Sequence, residues 1–191
     1  DVRATIAVAK LVLDKQPKLY RYLFDHRLKH KLASLVDVDN HKPLVHVSGM
    51  YGVEHGCMAI VVPICWHPNN KNSFIAFDLS TDPNTLAGLS VEQMRQRLFS
   101  KQVDLPEGIK RLGLKEVHVN KSPVLAPAAT LTPDQAERWN LSGDVLRSNL
   151  AALKQLLAQD VSILQNLHGV YSQREFEVKT DVDSQLYSGG F

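Results

Sequence analysis

The sequence predicts an α+β domain, because helical spacing of apolar residues alternates with short segments rich in valine and isoleucine. Leucines recur at helical spacing near both ends of the chain, whereas residues 44–47 and 57–66 have the composition of strands. Glycine and asparagine separate these segments, as expected for turns in an antiparallel sheet. The length of 191 residues allows one large domain or two small ones.

Two helices are predicted at the start of the chain. Residues 2–14 place apolar side chains at helical spacing, and Asp1 can cap the first turn. Gln16 and Pro17 then interrupt the pattern, because proline disfavours a helical conformation in the residue before it. A second helix is predicted to follow, with a buried stripe formed by Leu19, Leu23, Leu28, Leu32 and Leu35.

The middle of the chain has the pattern of a sheet. Strands are predicted at residues 44–47, 57–66, 73–79 and 116–126. Pro63 has no backbone N–H to donate to a neighbouring strand. Its strand is therefore expected to lie at an edge of the sheet or to carry a bulge at this residue.

Two capping boxes predict helix starts in the second half of the chain. Ser90 and Gln93 open a helix that is expected to reach about residue 100. Thr132 and Gln135 form the second box, with Pro133 at the first helical position.

The last predicted helices are marked by leucines. Residues 146–157 carry a leucine stripe, and a further helix is expected to end near His168, with Gly169 as its stop. No periodicity follows, so residues 172–191 are predicted to be a linker. The helical stripe consists of Leu146, Leu150, Leu153 and Leu157.

Composition predicts a cytoplasmic protein that does not enter a membrane. Apolar residues make up 44% and charged residues 22%, as in ordinary globular proteins. No apolar run reaches the ~20 residues that cross a bilayer. The chain has two cysteines, too few for a disulfide-framed secreted domain.

Charge is unevenly distributed although the net charge is only +2. Residues 15–31 contain six basic residues and one acidic residue, whereas residues 174–183 contain two basic and four acidic residues. The basic segment also contains Tyr20, Tyr22 and Phe24, which could stack on bases while the cations bind phosphates. A solvated helix surface explains the same pattern equally well.

Two histidine and cysteine pairs suggest a zinc site, but their spacing argues against it. His55 and Cys57, like Cys65 and His67, lie two residues apart, so each pair shares one face of a strand. A continuous strand would separate Cys57 from Cys65 by ~26 Å, whereas zinc ligands lie within ~2.3 Å of the ion. Two buried core cysteines are therefore expected, and His46 and His118 are expected to be hydrogen-bonded histidines of the sheet.

Several segments of the chain resemble the exonuclease I family of bacterial single-stranded DNA nucleases. They are K-P-L-V-H-V-S-G-M-Y-G from Lys42, the apolar run 58–66, H-P-N-N-K-N after it, and the opening D-V-R-A-T-I-A. The resemblance runs to the final D-S-Q-L-Y-S-G-G-F and implies that the chain is a segment of a longer enzyme. The fold that it implies is an SH3-like small antiparallel β-barrel flanked by helices.

The resemblance also implies how the segment is divided and what the parent enzyme does. Residues 1–16 correspond to the last helix of the nuclease domain, residues 17–171 to the SH3-like domain, and residues 172–191 to a linker toward a helical domain. In the family four acidic residues hold two metal ions, and Asp1 matches the last of them. The implied activity is magnesium-dependent hydrolysis of single-stranded DNA from its 3′ end. The segment itself is expected to be inactive, because one carboxylate cannot hold two magnesium ions.

Single-stranded DNA and a protein partner are the expected ligands of the segment. The SH3-like domain of the family helps to enclose the DNA, and Lys29, Lys31 and Lys71 are the candidate contacts. The family also binds the acidic, phenylalanine-ended tail of single-strand-binding protein. That tail needs a cation for its carboxylate and an apolar slot for its ring.

The tail-binding pocket is only partly matched by this sequence. Tyr22 and Lys42 match residues of the family pocket, and Lys154 replaces an arginine. Lysine keeps the charge but lacks the planar fork that grips a carboxylate in two places. Thr132 stands where a basic residue is expected and Pro127 where a polar one is, so an altered pocket is predicted. An independent SH3-like peptide-binding module, without an enzymatic parent, is the alternative.

Overall fold

The computed structural model describes residues 2–172 and has the predicted α+β composition. Its α-helices in this range are α1 (Val2–Lys15), α2 (Pro17–Asp25), α3 (Lys29–Ala33), α4 (Val91–Phe99), α5 (Pro133–Arg138), α6 (Gly143–Gln159) and α7 (Ser162–Ser172). Its strands are β1 (Leu44–Val47), β2 (Met58–Trp66), β3 (Ser73–Asp78), β4 (Leu114–His118) and β5 (Val124–Pro127). None of these helices is long and apolar enough to span a membrane.

The five strands form one antiparallel sheet in the order β4-β3-β2-β1-β5. Strands β4 and β5 lie at opposite edges, so the sheet is open and the term barrel describes it only loosely. The prediction of one strand over residues 116–126 was wrong. A 3-10 turn at Val119–Lys121 and a left-handed Ser122 (φ 47°) end β4, and the chain crosses to the other edge before β5 begins.

Pro63 lies at a bulge in the interior strand β2. The pairing of β2 with β3 shifts between Pro63 and Cys65, so this interior strand carries the predicted bulge beside the proline. The pairing of β2 with β1 ends at Val61, so no residue of β1 pairs with Pro63. The carbonyl of Pro63 accepts a hydrogen bond from Nδ1 of His41 at 2.9 Å.

Each face of the sheet packs against different helices. One face, which includes Val62 and Phe77, packs against α4, α6 and α7. The other face, which includes Phe74 and Val117, is covered by Leu32 of α3. This alternation places the basic α3 and the later helices on opposite sides of the sheet.

The predicted second helix is in fact two short helices. Leu28, between α2 and α3, has an extended backbone (ψ 124°), and the backbone N–H of His26 caps α2 by donating to Tyr22. The predicted leucine stripe was therefore wrong: Leu19 is 47% exposed and Leu28 41%, whereas Leu32 is fully buried. The stripe contained a step of five residues, which does not keep side chains on one face of a continuous helix.

The capping boxes are confirmed and the predicted helix stop is wrong. Both Ser90 and Thr132 accept a hydrogen bond from the backbone N–H three residues later, and Gln93 and Gln135 complete the boxes. Helix α7, in contrast, continues through Gly169 to Ser172. A Cβ atom on Gly169 would lie 3.2 Å from Val91 Cγ2, so the glycine allows α7 to approach α4 closely.

Candidate nucleic-acid interface

Helix α2 and the turn after it present aromatic rings together with positive charge. The rings of Tyr20 and Phe24 are stacked, with centroids 6.1 Å apart and planes 12° apart. The guanidinium carbon of Arg27 lies 3.7 Å from the centre of the Phe24 ring, which is half exposed. An exposed ring beside a cation can stack on a nucleobase while the cation attracts a phosphate. The contact between Arg27 and Phe24 is not predicted above, although their spacing of three residues could have indicated it.

The three candidate DNA-contacting lysines lie at the same end of the sheet. Lys29 and Lys31 are on α3, and α3 packs against the turn Val119–Lys121. The backbone N–H of Val119 donates to the carbonyl oxygen of Asn72 at 2.8 Å. Asn72 follows Lys71 in the turn between β2 and β3. Lys29 and Lys71 are exposed and Lys31 is half-buried, so this end of the sheet is electropositive.

Buried polar contacts fix the turn that carries Lys71. Nδ1 of His67 accepts hydrogen bonds from two backbone N–H groups of the turn, including that of Asn70 at 3.0 Å. The carboxylate of Glu116 accepts from Ser73 Oγ at 2.7 Å and lies 3.5 Å from Nε2 of His118. Burial alone would raise the pKa of Glu116, but the hydrogen bond from Ser73 and the neighbouring histidines outweigh it and lower the pKa. The charged carboxylate therefore remains in place and holds β4 against the turn.

The residues predicted for the tail-binding pocket lie around one edge of the sheet. The hydroxyl of Tyr22 donates to the carbonyl oxygen of Leu125 in β5 at 2.9 Å, and burial raises the pKa of Tyr22. Lys42 is exposed just before β1, whose residue Leu44 pairs with Pro127 of β5. Tyr22 and Lys42 are therefore both positioned beside β5.

Lys154 is on α6 and borders a cavity of about 400 Å³ near Lys42. The loop residues immediately before Lys42 form the other wall, and Asp39 adds a carboxylate there. The remaining lining residues are Asn40, His41, Leu157, Ala158 and Leu164. The cavity thus combines the Lys154 cation and three apolar side chains with three polar residues of the loop, so it offers a charge for a terminal carboxylate but only a partly apolar slot for a ring.

A larger apolar groove of about 790 Å³ lies beside the same edge. Pro43 and Leu131 line it, together with Leu146 and Leu150 of α6. Thr132, at the position where a basic pocket residue was expected, uses its hydroxyl in a helix cap. Its hydroxyl accepts a hydrogen bond from the backbone N–H of Gln135 and so caps α5.

The described residues do not fit a two-metal centre. Asp1, the predicted metal ligand, lies outside the described residues. Between residues 2 and 172 no group of three or more histidine, cysteine and acidic side chains is placed to hold a metal ion. Cys57 and Cys65 are free thiols of intermediate exposure, and not buried as predicted, although Cys65 packs against the core, where burial raises its pKa to about 11.

Comparison with known proteins relates this architecture to one family. The family profile described as "Exonuclease I SH3-like domain" matches residues 27–173. The exodeoxyribonucleases I of Escherichia coli (strain K12) and Haemophilus influenzae are 42% and 40% identical to the chain, over its whole length. The chain spans only 39% and 40% of the lengths of these two relatives.

A solved structure of the Escherichia coli enzyme has the same fold. It is the zinc ion-bound form of a complex of exonuclease I with single-stranded DNA, and it matches with a TM-score of 0.87 and 42% identity. The match covers 100% of this chain and 40% of that one. Since the profile covers more than half of the chain, the protein belongs to the exonuclease I SH3-like domain family.

Proposed function

We propose that this chain is the SH3-like segment of an exodeoxyribonuclease I and helps to enclose single-stranded DNA on its way to the nuclease site. The observation that carries the proposal is the electropositive end of the sheet, where α3 and the turn with Lys71 lie together. Stacked aromatic rings on α2 accompany these cations. The identity of about 40% with two exodeoxyribonucleases I supports the same assignment.

The proposed division of the parent enzyme is supported by the surface of α1. Residues 1–16 belong to the nuclease domain in this proposal, residues 17–171 to the SH3-like domain and residues 172–191 to a linker. Within the described part of the chain α1 has no buried residue, and Val2, Val8 and Leu11 are each more than half exposed. An apolar helix surface of this kind is suited to packing against a neighbouring domain.

The proposed chemistry of the parent is magnesium-dependent hydrolysis of phosphodiester bonds from the 3′ end. Asp1 is the proposed contribution of this chain to the metal site. The other three acidic ligands lie outside the chain in this proposal, and the described residues do not replace them. The chain alone is therefore expected to bind DNA without cutting it.

A purified 191-residue chain should bind a fluorescein-labelled oligothymidylate without shortening it in the presence of magnesium. Its affinity should fall with salt, because each phosphate that is neutralised on a single strand contributes about −0.7 to the slope of log affinity against log salt. Fluorescence anisotropy over a salt series gives the slope, and a denaturing gel of the same samples reports cleavage.

Two outcomes would contradict this proposal. Absence of salt-dependent binding would remove the DNA role, and salt-insensitive binding of a proline-rich peptide would favour the independent peptide-binding module. Digestion that persists in a contaminant-free sample would show that the chain contains a complete nuclease site.

We also propose that the edge around Lys42 and Lys154 docks the tail of single-strand-binding protein. The support is the 400 Å³ cavity, which combines the Lys154 side chain with apolar residues of α6 and α7. Tyr22 lies beside the adjoining strand β5. The exposed Lys42 is the second cation for the acidic tail.

Replacing Lys154 by arginine should strengthen binding of an acidic peptide that ends in phenylalanine, and K154Q should weaken it several-fold. Arginine can hold the terminal carboxylate with two parallel hydrogen bonds, whereas glutamine removes the charge. Isothermal titration with the free-acid peptide measures both effects, and the C-terminally amidated peptide is the control. Equal affinity of all three proteins would exclude Lys154 from the site.

A further inference from the structure

Lys115 of β4 is a half-buried cation that takes part in none of the ion pairs within residues 2–172. Its Nζ donates a hydrogen bond to Ser48 Oγ at 2.8 Å and lies 4.7 Å from the centre of the Tyr51 ring. Among residues 2–172 no carboxylate comes within ion-pair distance of Nζ, although Asp78 is near enough to act on it electrostatically. Burial lowers the pKa of Lys115, and Asp78 partly offsets this effect.

The Lys115 ammonium has more hydrogen-bond donors than partners within the described part of the chain. An ammonium group has three N–H donors, and one of them is directed to Ser48. The Ser48 oxygen also accepts from the backbone N–H of Met50 at 3.3 Å, and its own proton is donated to no group among the described residues. Ammonium and hydroxyl together therefore offer donors to an external group that bears negative charge.

The position of Lys115 connects it with the proposed DNA-binding surface. Val117, two residues further along β4, belongs to the apolar cluster beneath Leu32 of α3. Residues two apart share one face of a strand and are ~7 Å apart. Lys115 is thus on the sheet face that carries α3, and it extends the electropositive surface along β4. The loop after Ser48 is open to solvent there, since Met50 is 75% exposed.

We propose that Lys115 and Ser48 form a subsite for one backbone phosphate of single-stranded DNA. The proposal rests on the proposed DNA-enclosing function and specifies a contact within it. Tyr51 supports the ammonium with its ring face, and His46 supports Tyr51 through a contact of 3.0 Å between Nδ1 and the Tyr51 hydroxyl. Lys115 is the binding group in this subsite, and Ser48 both positions it and donates to the phosphate.

Fluorescence anisotropy with labelled oligothymidylate tests the subsite in the 191-residue chain. K115Q should make the slope of log affinity against log salt less negative by about 0.7 and weaken binding about eightfold at about 50 mM salt, with the difference vanishing near 1 M. K115R should keep the wild-type slope, because it keeps the charge. S48A should weaken binding less than K115Q does, because the ammonium remains. K110Q is the matched control, because it removes an exposed lysine beside α4, on the other side of the sheet.

The possible results separate the subsite from the proposed function. If wild type binds with salt dependence and K115Q behaves like K110Q, Lys115 has a structural role and the subsite is refuted. If wild type does not bind, the DNA-enclosing function fails together with it. Thermal unfolding of K115Q and K115R distinguishes a loss of DNA binding from a loss of fold. A wild-type salt slope in K115R would show independently that a substitution at this position leaves the binding surface folded.

Discussion

The double variant K29Q/K71Q is expected to bind single-stranded DNA about sixtyfold more weakly than wild type at about 50 mM salt. Both lysines are exposed, and contacts through Val119 and Asn72 place them at the same end of the sheet. Removing two phosphate contacts should make the slope of log affinity against log salt less negative by about 1.4. Anisotropy titrations with labelled oligothymidylate at several salt concentrations measure this change.

The matched control is K101Q/K110Q, which removes the same charge from a different surface. Lys101 and Lys110 are exposed near α4, which packs on the opposite side of the sheet from α3. This protein should keep a slope close to that of wild type. Equal weakening in both double variants would mean that net charge, and not a surface around α3, determines binding.

The free energy of unfolding is expected to fall by about 2 kcal/mol between about pH 7 and pH 4.5 through His46 alone. Burial lowers the pKa of His46 to about 4, and the positive charge of Lys115 contributes. In the unfolded chain the pKa of histidine is ~6.5. Between these two values the unfolded chain binds more protons than the folded one, so acid favours unfolding in this window.

The variant H46Q isolates this effect, because glutamine cannot take up the proton but can still hydrogen-bond to the Tyr51 hydroxyl. Urea unfolding at a series of pH values between about 7 and 4.5 gives both curves. Protonation of acidic residues such as Glu116 lowers the free energy of unfolding of both proteins. The difference between the two curves therefore reports the protonation of His46. Parallel curves would show that His46 does not titrate as its burial requires.

Much of the secondary structure could be predicted because its signals are local. Both capping boxes join residues only three positions apart, and valine and isoleucine mark β1 and β2 directly. The step from β4 to β5 also has a local signal, because Asn120 and the pair Ser122-Pro123 favour a turn and argue against one strand over residues 116–126. The pairing of the two halves with β3 and β1 is not local, so the crossing to the opposite edge could not be predicted.

The candidate site was less predictable for the same reason. Lys29 and Lys71 lie 42 positions apart in the sequence, and packing of the turn at Val119–Lys121 brings their segments together. Lys115 reads as an ordinary strand residue, because its partner Ser48 is 67 positions away. Gly169 has the sequence signal of a helix stop, whereas its role depends on Val91 of another helix. Residues 173–191 and Asp1 lie outside the described residues, so their predicted roles stay predictions.

The irregular step in β2 at Pro63 also has a consequence for protein engineering. The carbonyl oxygen of Pro63, beyond the end of the β1–β2 pairing at Val61, accepts a hydrogen bond from His41, immediately before the exposed Lys42. A proline inside the sheet thus anchors a cation-bearing loop that is more than twenty positions away in the sequence. Anyone who transplants residues 37–42 onto another scaffold, or straightens β2 by design, will need to supply a substitute acceptor for that imidazole.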